Sequence, residues 1–266
     1  AVIGYGKQGH AQAQNLRDNG LSVIVGSTKD EFWGLAEKAG FKVYPIEKAA
    51  ELGDILMILI PDEVQQQVFD EQIKSKLSPG KVLSFASGYN VYFGFIDYPK
   101  WVDVIMVAPK MPGESVRSLY LEGKGFPAQL AVEQNSSGQA WEICKAIAKG
   151  IGATRVGAYK STFEEETCTD LFIELALFGP GLYRLLAAYE VMVEAGFNPE
   201  AVQIEFYGSG EMIEIEKIRA EHGWVAGPAK FFSNTCMYAT FLKGPPAASR
   251  EVKNEMRQVL EEIRNG

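Results

Sequence analysis

The stretch Ala1-Val2-Ile3-Gly4-Tyr5-Gly6-Lys7-Gln8-Gly9-His10-Ala11 decides the fold. Three apolar residues read as the end of a buried strand. Gly4-x-Gly6-x-x-Gly9 follows at once, and His10–Asn19 continues with helical periodicity. A glycine loop between a strand and a helix lets backbone approach a pyrophosphate set at the helix N-terminus. Gly4, Tyr5, Gly6, Lys7, Gln8 and Gly9 are therefore the first candidate cofactor-binding residues. The same spacing in another context would be only a tight turn.

Working outward, Ser22–Gly26, Ile55–Ile60, Val82–Ala86 and Val104–Val107 read as further strands. Amphipathic stretches such as Phe32–Ala39 lie between them. Strand–helix alternation predicts an α/β, mostly parallel sheet covered on both faces. Beyond about residue 160 the texture changes. Thr162–Gly196 is long, apolar and helical, with a kink or break expected near Gly179-Pro180-Gly181 because proline lacks the N–H a helix needs. Ala201–His222 and Arg250–Arg264 read as more helices. The expected organisation is a dinucleotide-binding domain over 1–158 and an all-helical domain over 159–266.

Bulk properties exclude several classes. The 266 residues suffice for two cores, and the net charge of −8, with no basic stripe, argues against nucleic-acid binding. No uninterrupted apolar run reaches the roughly 18 residues of a membrane span, so no membrane association is expected. Because the chain opens inside a strand, a leading segment and any targeting signal it carries are expected to be missing. The three cysteines are widely spaced, which suggests a reducing cytoplasm, and the two histidines cannot build a multi-histidine metal site.

The chemistry-bearing positions fall at strand ends and on the first long helix. Gly26-Ser27-Thr28-Lys29-Asp30-Glu31 ends the second strand, where the adenine ribose would lie. Thr28, Lys29 and Asp30 are candidates there. Lys29 would pair with a 2′-phosphate, whereas Asp30 and Glu31 would repel one, so the loop by itself leaves NADH and NADPH open. Pro61, Asp62, Glu63, Val64 and Gln65 follow Ile55–Ile60 at a strand's carboxyl end, where nucleotides bind in such sheets; Asp62 could equally cap the next helix. Lys110, in Ala108-Pro109-Lys110-Met111-Pro112-Gly113, would suit an anionic substrate. In Thr162–Glu174, Asp170 and Glu174 are four apart and share a helical face. Two such carboxylates make an oxygen-only site suited to Mg²⁺, although acidic pairs at this spacing are also common on solvated helices.

These blocks together resemble ketol-acid reductoisomerase, the acetohydroxyacid isomeroreductase family, in its short form. The resemblance runs through Val2–Ala11, Leu59–Gln65, Asp103–Lys110, Lys149-Gly150-Ile151-Gly152, Thr162–Phe172, Val193-Glu194-Ala195-Gly196, Ser233-Asn234-Thr235 and Gly244-Pro245. It implies a Rossmann-type domain followed by a knotted helical domain that dimerises to complete each active site. It implies two Mg²⁺ ions, NADH or NADPH, and a 2-hydroxy-2-acyl acid substrate rearranged by alkyl migration and then reduced. By resemblance, Asp170 and Glu174 are metal ligands, Lys110 lies near the metal waters, Ser233 contacts the substrate carboxylate, and Gly113 lies on the nicotinamide side.

Three departures stand out. Ser87-Gly88-Tyr89-Asn90 occupies the place of the family's His-Gly-Phe-Asn, so Ser87 replaces an active-site histidine and cannot titrate near neutrality. Glu205 matches the first of two later metal glutamates, but Ser209 stands where the second belongs. Glu211, supplied with Glu205 by a partner subunit, completes the set only if Gly208-Ser209-Gly210 widens or breaks the helix. In the second-strand loop Thr28 replaces an arginine and Asp30 a phosphate-binding hydroxyl, which favours NADH. The leading expectation is a cytoplasmic, homo-oligomeric ketol-acid reductoisomerase. The alternatives are a reductase of 2-keto acids that has lost isomerisation, and a non-catalytic cofactor-binding paralogue.

Overall fold

Val2-Ile3 forms β1, and both residues are almost fully buried because helices cover the sheet on each face. In the computed structural model, which describes residues 1–266, the chain divides into two compact units, Ala1–Thr169 and Asp170–Gly266.

The first unit alternates strand and helix. After β1 come α1 (Lys7–Asp18), β2 (Ile24–Gly26), α2 (Glu31–Lys38), β3 (Lys42–Tyr44), α3 (Ile46–Leu52), β4 (Ile55–Ile58) and α4 (Asp62–Val68). Then follow β5 (Val82–Phe85), α5 (Tyr89–Tyr92), β6 (Asp103–Pro109), α6 (Gly113–Leu121), β7 (Pro127–Gln134), α7 (Ala140–Ile151) and β8 (Gly157–Lys160). The sheet order is β3-β2-β1-β4-β5-β6-β7-β8. The first six strands are parallel, in the order of the doubly wound dinucleotide fold. β7 pairs antiparallel with β6, and β8 runs parallel to β7. One apolar cluster lies around Val25, Ile105, Phe126 and Ile147, and the other around Ile3, Leu56, Phe85 and Met106.

The strand order reverses between β1 and β4, and the crevice beyond their carboxyl ends is where such sheets bind nucleotides. The glycine loop opens there. Gly4 adopts φ +93°, and its N–H donates to the Gly26 carbonyl at 2.8 Å. That bond ties the loop to the end of β2.

The second unit is helical throughout. α8 (Phe163–Ile173) begins in the first unit and ends in the second. It runs through a π turn, Glu174–Phe178, into α9 (Gly179–Glu194). α10 (Pro199–Gln203) leads into a second π turn, Ile204–Gly208, followed by α11 (Glu211–His222), α12 (Ala226–Phe231), α13 (Asn234–Lys243) and α14 (Arg250–Asn265).

By compactness the units divide at Thr169/Asp170, because Phe163, Glu166, Thr167 and Cys168 in the first turns of α8 are buried. Residues 157–160 form the edge strand β8. Two expectations need adjustment. The long helix does not break at Gly179-Pro180-Gly181; it is continuous over Phe163–Glu194, and its irregularity is the π turn just ahead of Pro180. That 32-residue helix contains an 18-residue window apolar enough to cross a membrane by length and composition. Counting uninterrupted apolar runs missed this, because Gly179-Pro180-Gly181, Arg184 and flanking glutamates punctuate the stretch.

Candidate active site

The dinucleotide cradle is built by close approach of backbone to backbone. A Cβ on Gly9 would run into the Gly4 carbonyl oxygen, so α1 starts directly against the loop. A Cβ on Gly113 would lie 2.5 Å from the Lys7 carbonyl carbon and 2.9 Å from the Gln8 nitrogen. The Gln8 side chain also donates to the Met111 carbonyl at 3.1 Å. The turn after β6 is thus fastened to the first turn of α1, and the sequence reading of Gly113 as a cofactor-side residue falls on a backbone contact with the cradle.

At the end of β2, Thr28 Oγ1 donates to Asp30 Oδ2 at 2.5 Å. Asp30 Oδ1 accepts from the N–H groups of Phe32 and Trp33 at 3.0 and 3.2 Å, capping α2. The Thr28 hydroxyl, aided by these backbone N–H groups, holds the Asp30 carboxyl below its ordinary value of 3.8. An anionic group is therefore fixed where the adenine ribose of a bound dinucleotide would lie, while Lys29 is exposed.

Asp62 sits at the start of α4. Its Oδ1 accepts from Gln65 Nε2 at 3.0 Å and from the buried Asn90 Nδ2 at 3.1 Å. Those bonds couple the loops after β4 and β5. Pro61, Glu63 and Val64 are exposed around this corner. Ser87 Oγ accepts from the Tyr89 N–H at 3.3 Å, so the hydroxyl serves its own turn.

The group the sequence reading missed is Glu166. Its side chain is 2% exposed and sits between two donors. Lys110 Nζ reaches Oε1 at 2.6 Å, and the Gly88 N–H donates to Oε2 at 2.7 Å. A charge this deeply buried persists because both oxygens are bonded and a cation faces it; removing one partner of such a pair costs about 3–5 kcal/mol. Gly88 has no room for a side chain, since a Cβ would meet Thr167 Oγ1 at 2.5 Å and the Phe163 carbonyl at 2.6 Å. The first turns of α8 therefore clamp both the Ser87-Gly88 turn and Lys110. In the sequence Glu166 is hidden as the last of three consecutive glutamates, Glu164-Glu165-Glu166.

In the helical unit, Asp170 and Glu174 are exposed, and Glu174 is the first residue of a π turn. Glu205 lies in the second π turn. That turn ends where Ser209 and Gly210 break the helix: Gly210 takes φ +76°, Ser209 Oγ accepts from the Glu211 N–H at 3.3 Å, and α11 starts at Glu211. Ser209 thus uses its side chain to restart a helix. Glu214 and Glu216 are paired with Lys217 and Arg219, whereas Glu174, Glu205 and Glu211 form no ion pair. No three acidic, histidine or cysteine side chains of the single chain converge on one point. The donors themselves are carboxylates throughout, the chemistry that suits Mg²⁺. Ser233 is the N-cap of α13, its Oγ accepting from the Cys236 N–H at 3.2 Å. The N-terminal end of that helix is a natural carboxylate site.

Residues 1–157 match the family model for the acetohydroxy acid isomeroreductase NADPH-binding domain, and residues 163–266 match the ketol-acid reductoisomerase C-terminal domain. The chain is 48% identical over 268 residues to the ketol-acid reductoisomerase (NADP(+)) of Methanopyrus kandleri, covering all of this chain and 80% of that protein. It is 45% identical over 272 residues to that of Pseudarthrobacter chlorophenolicus, covering 100% of this chain and 78% of the relative. The solved structure of an NADH-preferring ketol-acid reductoisomerase from an uncultured archaeon superposes with a TM-score of 0.94 at 43% identity, over 100% of this chain and 81% of that one. A semialdehyde dehydrogenase NAD-binding protein from Cupriavidus necator shares the fold, with a TM-score of 0.74 at 18% identity, over 99% of this chain and 97% of that one. Two family models that together span nearly the whole sequence, with relatives near half identity, show that the chain belongs to the ketol-acid reductoisomerase family.

Proposed function

We propose that this chain is a ketol-acid reductoisomerase, converting 2-hydroxy-2-acyl acids such as 2-acetolactate to 2,3-dihydroxy acids with Mg²⁺ and a reduced nicotinamide cofactor, in branched-chain amino-acid biosynthesis. The observation that carries the reading is the full-length family match on a fold whose glycine loop opens at the β1/β4 switch point. When bound, the metal ions supply Lewis-acid polarisation for alkyl migration, and the nicotinamide supplies hydride. The chain's own residues bind, orient and supply protons. Lys110, held by Glu166, presents a fixed ammonium to an anionic oxygen. Asp170, Glu174, Glu205 and Glu211 offer carboxylate oxygens to two Mg²⁺. Ser233 and the N-terminus of α13 offer donors to a substrate carboxylate.

Ser87 offers a hydroxyl where the family histidine is expected, and Lys110, joined through Glu166 to the neighbouring Gly88 N–H, is the candidate proton source. The reductase-only and non-catalytic readings are not favoured, because the match extends through the helical domain. For the cofactor we favour NADH. Asp30 is an anion fixed by Thr28 and by the N-terminus of α2, and a 2′-phosphate would meet it unfavourably.

The second unit supports a homodimer or larger homo-oligomer. No residue of the 16-residue α9 or of α11 is buried, and Leu182, Tyr183 and Leu186 lie open along α9. Apolar surface on this scale calls for a partner, and a second copy would also bring a second set of Glu205 and Glu211. Cys144, Cys168 and Cys236 are unpaired, in keeping with a reducing cytoplasm. The test is steady-state turnover of 2-acetolactate with Mg²⁺ and each cofactor. Metal-dependent oxidation of NADH supports the reading; no oxidation of either cofactor in the presence of metal and substrate contradicts it.

A further inference from the structure

Three π turns occur in this chain, and their surroundings differ. The first, Phe69–Ile73, buries both its ends in the core, so packing accounts for it. The other two bury almost nothing: only Ala176 in Glu174–Phe178, and no residue in Ile204–Gly208. Yet each of these two carries a proposed metal carboxylate, Glu174 in one and Glu205 in the other. A π turn is less favourable than an ordinary helical turn, and single ones cluster at functional sites.

The cause of the turn at Glu174 is in the sequence. In an ordinary helix Pro180 would leave the Ala176 carbonyl without a donor, and its ring would press against that carbonyl. Widening the turn just before the proline relieves the clash, and the Gly179 N–H instead bonds five residues back to Glu174. Pro180 is exposed in the single chain, so no contact within its own chain requires it. Alanine there would make a better helix.

We propose that Pro180 is a positioning residue: it holds the π turn open, and the displaced backbone aims the Glu174 carboxylate for metal. The proposal rests on the reading of Asp170 and Glu174 as metal ligands. Gly208 does the corresponding work beside Glu205, where a Cβ would come within 3.3 Å of the Gln203 carbonyl oxygen and disturb the wide turn.

The test uses the full chain with Mn²⁺ as the metal probe, followed by electron paramagnetic resonance without cofactor or substrate. Helicity and thermal midpoint are measured alongside. Pro180→Ala is expected to keep or raise helicity and thermal midpoint while weakening Mn²⁺ binding by about tenfold or more, the range for residues that orient metal ligands. A purely structural proline would move stability and leave affinity alone. Gly208→Ala is the second variant, with the same expected divergence. Unchanged Mn²⁺ affinity in Pro180→Ala overturns the proposal if Asp170→Asn still abolishes binding. If Asp170→Asn also binds normally, the metal-site reading falls and the proposal with it.

Discussion

At the scale of single residues, the chemistry turns on which charges are fixed and by what. Glu166 is the clearest case. A buried carboxylate that holds Lys110 and the Gly88 N–H should act through both, so Glu166→Gln is expected to lower kcat by about two orders of magnitude with little change in cofactor Kd. Steady-state kinetics beside a cofactor-binding titration checks this; unchanged kcat would reduce the pair to a structural bond. Asp30 governs the cofactor. Asp30→Ser keeps a helix cap but removes the anion, so the ratio of kcat/KM for NADPH over NADH should rise about tenfold. The depressed Asp30 pKa gives the sign of its pH dependence. A carboxyl lowered below 3.8 is ionised at every pH above that value, so its contribution is present there and is lost only as pH falls through the folded pKa. Preference for NADH should therefore be flat between about pH 8 and pH 5.5, and a preference that relaxes across that window would assign selectivity to another group. Most of this was legible as residue types at strand ends. Glu166 was not, because burial rather than identity separates it from Glu164 and Glu165, and burial depends on what α8 packs against.

At the scale of elements, backbone departures from regularity do the placing. Gly88 meets α8 so closely that Gly88→Ala should cost about 1–3 kcal/mol, read as a lowered denaturation midpoint, with Lys110 displaced as well. The break at Ser209-Gly210 makes Glu211 the first residue of a new helix. Glu211→Gln should therefore weaken Mn²⁺ binding several-fold more than Glu214→Gln, since Glu214 already pairs with Lys217. Equal effects would remove Glu211 from the proposed set. The sequence announced β1, β2 and β4–β6 as apolar runs because strands buried on both faces have no polar side. It did not announce β3, β7 or β8. β3 is three residues with an exposed lysine, β8 is an edge strand of exposed residues, and β7 carries Pro127 and Gln129. β3 and β8 are edge strands, and β7 is held between β6 and β8 by pairing with distant segments, not by an apolar run of its own. The proline near the middle of the long helix was legible, but the widening of the turn ahead of it was not, because a kink is the commoner response to proline.

At the scale of the whole molecule, each unit is explained by a different incompleteness. The first closes its own core and leaves a cradle at the switch point. The second leaves α9 and α11 unburied, so the proposed oligomer should be concentration-stable, and sedimentation at micromolar concentration should give at least twice the 29.3 kDa chain mass. The central claim is that the chain both rearranges and reduces its substrate despite Ser87. The direct measurement is the product formed from 2-acetolactate carrying a ¹³C label in the migrating methyl group, with Mg²⁺ and NADH, followed by nuclear magnetic resonance. The account predicts a 2,3-dihydroxy acid with the label moved to the neighbouring carbon, one equivalent of NADH consumed, and no product in Asp170→Asn. An unchanged substrate, in a preparation that readily reduces the already rearranged keto acid, would contradict it.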